Sequence, residues 1–193
     1  MEKAAFREKQ IKLLSTIDEV SKANKETAIA RVLFQQNEFI GAKNIAITLS
    51  HGFELNTNDI IEKMRQMGKN VFIPRTLPKR QMEFVEFTSE TKLEPKVFGI
   101  LEPQNGRVIQ PEKLDLIIVP GLAYETTSGY RLGFGGGYYD RFLLKTQAPK
   151  IVLAFSEQIY SAPQWSVERF DIPLDKIISE NGIQFDGSKG LES

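Results

Sequence analysis

Residues 114–142 of this 193-residue chain read LDLIIVPGLAYETTSGYRLGFGGGYYDRF and contain its clearest structural pattern. The first six residues are almost entirely aliphatic, which predicts a strand buried on both faces. A glycine-rich loop follows, and a helix is expected to begin near Tyr138. A buried strand that leads through a loop into a helix is typical of an α/β sheet.

Shorter apolar runs extend this pattern in both directions along the chain. Two helices are predicted over the first forty residues, with a break near Asn24 and with Leu13, Leu14, Ile17 and Val20 on one apolar face. A further helix is expected over residues 60–67, ended by Gly68 as its C-terminal cap. Residues 88–112 are expected to be irregular. The remaining predicted strands are residues 45–49, 71–73 (stopped by Pro74), 82–87, 151–155 and 177–179.

Strands that alternate with helices predict a three-layer α/β fold. It is Rossmann-like, with a mostly parallel sheet and helices on both faces. Because no linker divides the chain, we expect one domain over residues 1–186 and a flexible tail over residues 187–193.

The amino-acid composition argues against several classes of functional site and partner. Lys+Arg and Asp+Glu both total 25, so the net charge is zero and gives no sign of a nucleic-acid partner. The chain has no cysteine and one histidine, His51, which excludes zinc–thiolate sites and cages of several histidines. The longest apolar run spans nine residues, whereas a membrane span needs about 20. We expect a cytoplasmic monomer that acts on small molecules and not on membranes.

The glycine-rich loop suggests an anion-binding site. Five of the 14 glycines lie within residues 129–137, where backbone N–H groups and a following helix N-terminus can converge on a phosphate. The loop matches neither the Walker A pattern, which needs a lysine, nor the dinucleotide pattern, which needs glycine at Tyr138. A tight turn without a ligand is the alternative.

Two charged residues in this segment fit a phosphate site, although each also has a simpler explanation. Arg131 could hold phosphate oxygens through its guanidinium group, or it could form a surface ion pair. Asp140 lies in the first predicted helical turn, where a carboxylate would repel a phosphate unless Mg²⁺ joined the two. Its alternative role is to stabilise the helix dipole.

These segments resemble the 5-formyltetrahydrofolate cyclo-ligase family, also called the 5,10-methenyltetrahydrofolate synthetases. The strongest likeness lies in VPGLA at residues 119–123 and in the run from Gly129 to Phe142, and it extends over effectively the whole chain. Further matches follow in family order: Lys3 with Phe6 and Arg7, LS at 49–50, Glu54, Thr57, GKNV at 68–71, Pro74, MEF at 82–84, GI at 99–100, EP at 102–103, AF at 154–155, Gln158, Asp171 and LDKII at 174–178.

The resemblance implies a ligase that uses ATP and Mg²⁺ to cyclise 5-formyltetrahydrofolate to 5,10-methenyltetrahydrofolate through a phosphorylated formyl group. It implies Arg131 and Asp140 as catalytic residues, and Asp140 and Asp171 as metal ligands. The ATP contacts it implies are Lys3, Arg7, Arg131, Leu132, Gly133, Phe134, Gly135, Gly136, Gly137, Tyr138 and Tyr139. The folate contacts it implies are Leu49, Glu54, Met82, Phe98, Phe134, Gly135, Gly136, Gly137 and Tyr138.

Several of these assignments have alternatives. Glu54 could be a solvated loop acid, and Met82 and Phe98 could belong to the core. The family often has histidine at the position of Phe170 and threonine at that of Ser179. Two other functions stay open: a folate-binding homologue without turnover, and a sugar-phosphate isomerase or acyl-CoA transferase on a similar scaffold.

Overall fold

The computed structural model describes residues 2–96 and 99–190. Over these residues the helices are α1 (Lys3–Leu14), α2 (Glu19–Phe34), α3 (Asn37–Gly41), α4 (Asn58–Gln66) and α5 (Tyr138–Leu143). The strands are β1 (Asn44–Ala46), β2 (Asn70–Leu77), β3 (Gln81–Glu86), β4 (Leu93–Pro95), β5 (Leu101–Pro103), β6 (Val108–Ile109), β7 (Leu116–Ile118), β8 (Ala123–Glu125), β9 (Arg131–Leu132), β10 (Lys150–Leu153), β11 (Ile159–Tyr160), β12 (Lys176–Ser179) and β13 (Gly182–Asp186).

The main sheet has eight strands in the order β13-β12-β10-β7-β1-β2-β3-β6. Its five central strands, from β12 to β2, are parallel to one another. The edge strands β13, β3 and β6 pair antiparallel, so the sheet is mixed. The chain passes from β1 outward to β2, and later from β7 outward to β10 on the opposite side. This reversal between β1 and β7 is a topological switch point, where α/β proteins bind ligands.

Helices cover both faces of the main sheet, which confirms the predicted α/β fold class. Ile45 and Ile47 pack against the apolar residues of α1 to α4. Ala46, between them, belongs to the core on the opposite face, together with Phe142 and Leu143 of α5. Because both faces are buried, the central strands are apolar in nearly every residue.

A second, three-stranded sheet has the order β11-β8-β9. It follows β7 and leads into the glycine-rich loop. The β8–β9 pair is antiparallel and places Tyr124 opposite Arg131. Phe6 of α1 packs against Ala123 and Leu132 of this sheet, which joins the N-terminal helix to it.

Several local predictions are wrong, each for a physical reason. Helix α2 runs through Asn24 without a break. The break between the two helices comes earlier, because Asp18 caps the start of α2 by accepting the Ser21 N–H at 2.9 Å. Val20 is 72% exposed and does not join the apolar face. Strand β2 continues through Pro74 to Leu77, because pairing with β1 ends at Phe72 and the rest of the strand pairs with β3.

Two further predictions, irregular structure over residues 88–112 and a last strand at residues 177–179, also differ from the structure. Strands β4, β5 and β6 occupy part of residues 88–112, and β13 follows the strand that was predicted to be last. Gly187–Gly190 form a 3-10 turn, and residues 191–193 lie outside the described residues. In the part of the chain that the structure describes, no helix is long and apolar enough to cross a membrane.

Candidate active site

A small cavity lies at the switch point, beyond the carboxyl ends of β1 and β7. It has about 50 Å³ of internal room. Polar groups on its wall come from Thr48, Ser50, Glu54, Tyr124 and Gln158. The backbone of residues 118–121, immediately after β7, forms another side. A cleft at this edge of a parallel sheet is the expected place for a ligand.

The glycine-rich loop connects β9 to α5 beside this cavity. Gly135 and Gly137 have positive φ angles of 99° and 67°, which explains why glycine is needed at these two turns. The Arg7 side chain lies across the loop, where its Nε donates to the Gly133 carbonyl at 2.8 Å. A Cβ atom at Gly135 would lie 3.3 Å from the Arg7 Cζ atom, so the two groups are in close contact.

Arg131 lies beneath the loop, with only 3% of its side chain exposed. Its Nη1 donates to Asp140 Oδ1 at 3.2 Å, and the same oxygen accepts the Ile172 N–H at 3.3 Å. The buried Nε of Arg131 finds no acceptor within residues 2–96 and 99–190. A buried guanidinium group with an unused donor is costly unless a further acceptor is supplied. The predicted catalytic pair, Arg131 and Asp140, is therefore in direct contact.

A second ion pair joins the N-terminal helix to the other predicted metal ligand. Lys3 Nζ lies 3.1 Å from Asp171 Oδ2 and 3.4 Å from Glu168 Oε1. Asp171 also accepts the Glu168 N–H at 2.9 Å. Phe170, at the position where the family often has histidine, is 57% exposed, with its ring centroid 5.9 Å from Lys3 Nζ. Each predicted phosphate-binding cation of these pairs thus contacts a predicted metal-binding carboxylate.

The predicted folate-binding residues lie in different places. Glu54 lines the cavity, and its Oε2 accepts the His51 N–H at 2.7 Å. Burial raises the pKa of the Glu54 carboxyl, although this hydrogen bond acts in the opposite direction. Leu49 packs against the core beneath α1 to α4. Met82 is 5% exposed in the core of the opposite face, and Phe98 lies outside the described residues.

The cavity and the glycine-rich loop share a border. The Tyr139 hydroxyl, in the first turn of α5, lies 2.9 Å from Thr48 Oγ1 on the cavity wall. The Leu122 N–H donates to the Leu132 carbonyl at 2.8 Å, which joins the segment before β8 to the end of β9, where the loop begins. Two ligands bound to these neighbouring places would therefore meet.

Two residues of the site received no role from the sequence. Gln158 is 5% exposed and joins the turn after β10 to the loop after β7. Its Oε1 accepts the Phe155 N–H at 2.9 Å, and its Nε2 donates to the Gly121 carbonyl at 3.1 Å. Tyr124 is the other: it lines the cavity from within an apolar run, where sequence patterns do not show which side chains face a ligand.

The carboxylates set limits on a metal site. Among the described residues, no three acidic or histidine side chains are grouped closely enough to hold a metal ion by themselves. Mg²⁺ is commonly held by one or two carboxylates together with substrate phosphates and water. Asp140, which is 21% exposed beside the glycine-rich loop, fits this mode of binding.

A mixed α/β sheet with a cavity at its switch point and a buried arginine beside a glycine-rich loop is an arrangement typical of α/β enzymes that bind anionic ligands. The model of the 5-formyltetrahydrofolate cyclo-ligase family matches residues 1–180. The chain therefore belongs to this family, as the sequence resemblance indicated, and is a ligase-type enzyme.

Individual relatives agree with this family. The mouse 5-formyltetrahydrofolate cyclo-ligase is 35% identical over 167 residues, which cover 79% of this chain and 81% of the mouse protein. The Haemophilus influenzae cyclo-ligase is 32% identical, with 71% and 75% covered. The solved structure of Aquifex aeolicus 5,10-methenyltetrahydrofolate synthetase is 28% identical and superimposes with a TM-score of 0.84, covering 96% of this chain and 93% of that one.

Proposed function

We propose that this protein uses MgATP to cyclise 5-formyltetrahydrofolate to 5,10-methenyltetrahydrofolate, with release of ADP and phosphate. The formyl oxygen attacks the γ-phosphorus of ATP, and the resulting iminium phosphate carries an electrophilic carbon. Nitrogen 10 of the folate attacks this carbon and loses its proton, and the original formyl oxygen leaves with the phosphate. Such phosphoryl transfer depends mainly on positioning and charge neutralisation, which suits a chain with one histidine and no cysteine.

The observation that carries this proposal is the buried Arg131 guanidinium group with its unpartnered Nε, directly under the glycine-rich loop. Arg7 also contacts the loop, and Lys3 lies one helical turn before Arg7 in α1, so this region carries three cationic side chains. Phosphate oxygens are the acceptors that best match such a set of donors. We assign residues 131–139, which comprise β9, the glycine-rich loop and the start of α5, together with Lys3 and Arg7, to ATP.

Mg²⁺ fits beside these residues because Asp140 adjoins the loop and the phosphates would complete its ligand set. We assign Asp140 as one metal ligand and Asp171 as the other. When bound, Mg²⁺ would neutralise part of the negative charge that develops on the transferred phosphoryl group. Asp140 and Arg131 would then act together, the carboxylate on the metal and the guanidinium group on the phosphoryl oxygens.

The folate is assigned to the cavity and its rim. Glu54 faces the cavity and could accept hydrogen bonds from the N–H donors of a pterin ring. Leu49, Met82, Phe98, Phe134 and residues 135–138 complete the proposed contacts. Because a cavity of about 50 Å³ is smaller than a pterin, folate binding would have to widen it.

The proposal also includes the cellular location, the partners and the oligomeric state of the protein. Its zero net charge and its lack of cysteine suit a cytoplasmic enzyme that acts on small molecules, without nucleic acid or membrane partners. We propose that it is a monomer, which light scattering on the purified protein would test.

The test is the near-ultraviolet absorbance of the purified protein with 5-formyltetrahydrofolate and MgATP. Methenyl product absorbs where the substrate does not, so the growth of this band reports ring closure. The expected band needs both ATP and Mg²⁺, and it is absent when either is left out. A flat trace from protein that still binds the folate by calorimetry would instead identify a binding homologue without turnover.

A further inference from the structure

Tyr124 has an unusual position for a tyrosine. It lies in β8, is 1% exposed, and forms part of the cavity wall at the switch point. Its ring edge lies against the backbone of Gly121: a Cβ atom there would be 3.1 Å from both Tyr124 Cε1 and the hydroxyl oxygen. The glycine therefore leaves just enough space for the hydroxyl end of the ring.

The Tyr124 hydroxyl makes no hydrogen bond with any described residue, whereas two other tyrosine hydroxyls do. Tyr139 pairs with Thr48 at 2.9 Å, and Tyr160 pairs with Gln10 at 2.8 Å. The oxygen is not among the fully enclosed side-chain atoms that lack a partner, so it keeps some accessible surface where Tyr124 lines the cavity. The oxygen of Tyr124 therefore makes no bond within the described protein and is open to a partner that a bound ligand supplies.

Charged groups of both proposed ligand sites, Arg131 and Glu54, act on this hydroxyl. Arg131, on the phosphate side, is its partner across the β8–β9 pair. Burial raises the pKa of the Tyr124 hydroxyl, and the Glu54 charge raises it further while that of Arg131 lowers it. The group is therefore a neutral O–H donor throughout the physiological pH range.

We propose that the Tyr124 hydroxyl is a specificity-determining contact that donates a hydrogen bond to an oxygen of the bound folate, where the cavity meets the glycine-rich loop. This inference rests on the proposed function. The proton stays on Tyr124 throughout, so the contact orients the folate toward the phosphates and takes no part in bond making. A ligand oxygen at this point gives the hydroxyl the partner that the protein does not supply.

The test compares Tyr124→Phe with wild type in turnover, calorimetry and thermal unfolding. One neutral hydrogen bond corresponds to about a tenfold effect, so we expect a fall of that size in kcat/KM and in affinity for 5-formyltetrahydrofolate. The dissociation constant for MgATP is expected to stay unchanged. The Tm is expected to equal that of wild type, because the hydroxyl makes no hydrogen bond with the described residues.

Tyr160→Phe is the matched control. It removes a hydroxyl that does have a partner, Gln10, and Tyr160 does not line the cavity, so the change is expected to lower the Tm and to leave folate affinity unchanged. Wild-type folate affinity in Tyr124→Phe, or a Tm lower than that of wild type, would overturn the inference. If wild type binds the folate but does not turn it over, the proposed function fails while the calorimetric comparison still tests this contact.

Discussion

Replacing Arg131 with methionine separates its role in stability from its proposed role in ATP use. The change keeps much of the side-chain volume and removes the charge. At 3.2 Å from Asp140, the gross attraction is about 5 kcal/mol at an effective dielectric constant of about 20. Most of this is offset by the desolvation of the buried guanidinium group, and Asp140 remains partly open to water. We therefore expect unfolding to become easier by about 1–3 kcal/mol.

The effect on catalysis should be larger than the effect on stability. Loss of one preorganised donor to a developing phosphoryl charge typically costs about 100- to 1,000-fold in turnover. We expect kcat/KM for ATP to fall by about this factor, with folate affinity changed by less than about threefold. The assay is the absorbance of the methenyl product over an ATP series, with folate affinity measured separately by calorimetry.

A matched control for this change is Arg75→Met. Arg75 also pairs with an acidic residue, Glu83, at 2.6 Å, but on the β2–β3 hairpin. It should lose some stability and keep its ATP kinetics. The reasoning is refuted if Arg131→Met loses ATP and folate affinity equally, or if it keeps wild-type kcat/KM for ATP.

Three further changes test other parts of the structure. Asp140→Asn should lower turnover by about 100-fold and raise the Mg²⁺ concentration needed for half-maximal rate, while the Tm changes little, because the amide oxygen can still accept from Arg131. Glu54→Gln should be more stable than wild type at pH 7, with the difference shrinking as the pH falls toward 4.5, the ordinary pKa of the group. The raised pKa means that the folded protein holds the proton more tightly than the unfolded chain, so this residue costs stability as the pH rises. Lys79→Asn combined with Arg80→Gly should stabilise the protein by about 1–2 kcal/mol in a urea titration, because both residues have positive φ angles, 60° and 55°, at the tip of a hairpin.

Each of these expectations has a result that contradicts it. Unchanged Mg²⁺ dependence in Asp140→Asn would remove the metal role from this residue. A constant difference in stability between Glu54→Gln and wild type from pH 4 to pH 8 would show that the carboxyl titrates normally in the folded protein. A less stable hairpin variant would mean that Lys79 or Arg80 makes contacts that outweigh its backbone strain.

The fold could be predicted because its central strands are buried on both faces. Residues 116–119 are apolar for this reason, and the pattern alone locates β7 and the loop after it. Gly135 and Gly137 have positive φ angles, which glycine adopts more easily than other residues, so these turns could also be predicted from the sequence. The strands toward the edges of the main sheet were predicted less well. Pairing partners, and not local preference, decide that β2 passes through Pro74 and that β13 forms after β12.

The predicted site depends more on three-dimensional contacts. No sequence pattern shows that Lys3 reaches Asp171, since 168 positions separate them. The sequence also does not show in which direction Tyr124 faces, because the side chains next to it along the chain are buried as well. For Met82, the resemblance implied a contact with folate, whereas the structure places the side chain in the core. Its contact with folate stays a prediction.

If the site binds MgATP as proposed, its two ion pairs would make the binding of ATP and the binding of Mg²⁺ depend on each other. Lys3 is held by Asp171, and Arg131 by Asp140. A nucleotide that attracts the cations would leave both carboxylates without their partners, and a metal that binds the carboxylates would do the same to the cations. When both arrive together, every charge finds a new partner. The affinity of each ligand should therefore rise in the presence of the other, and thermodynamic reciprocity requires that the two increases be equal.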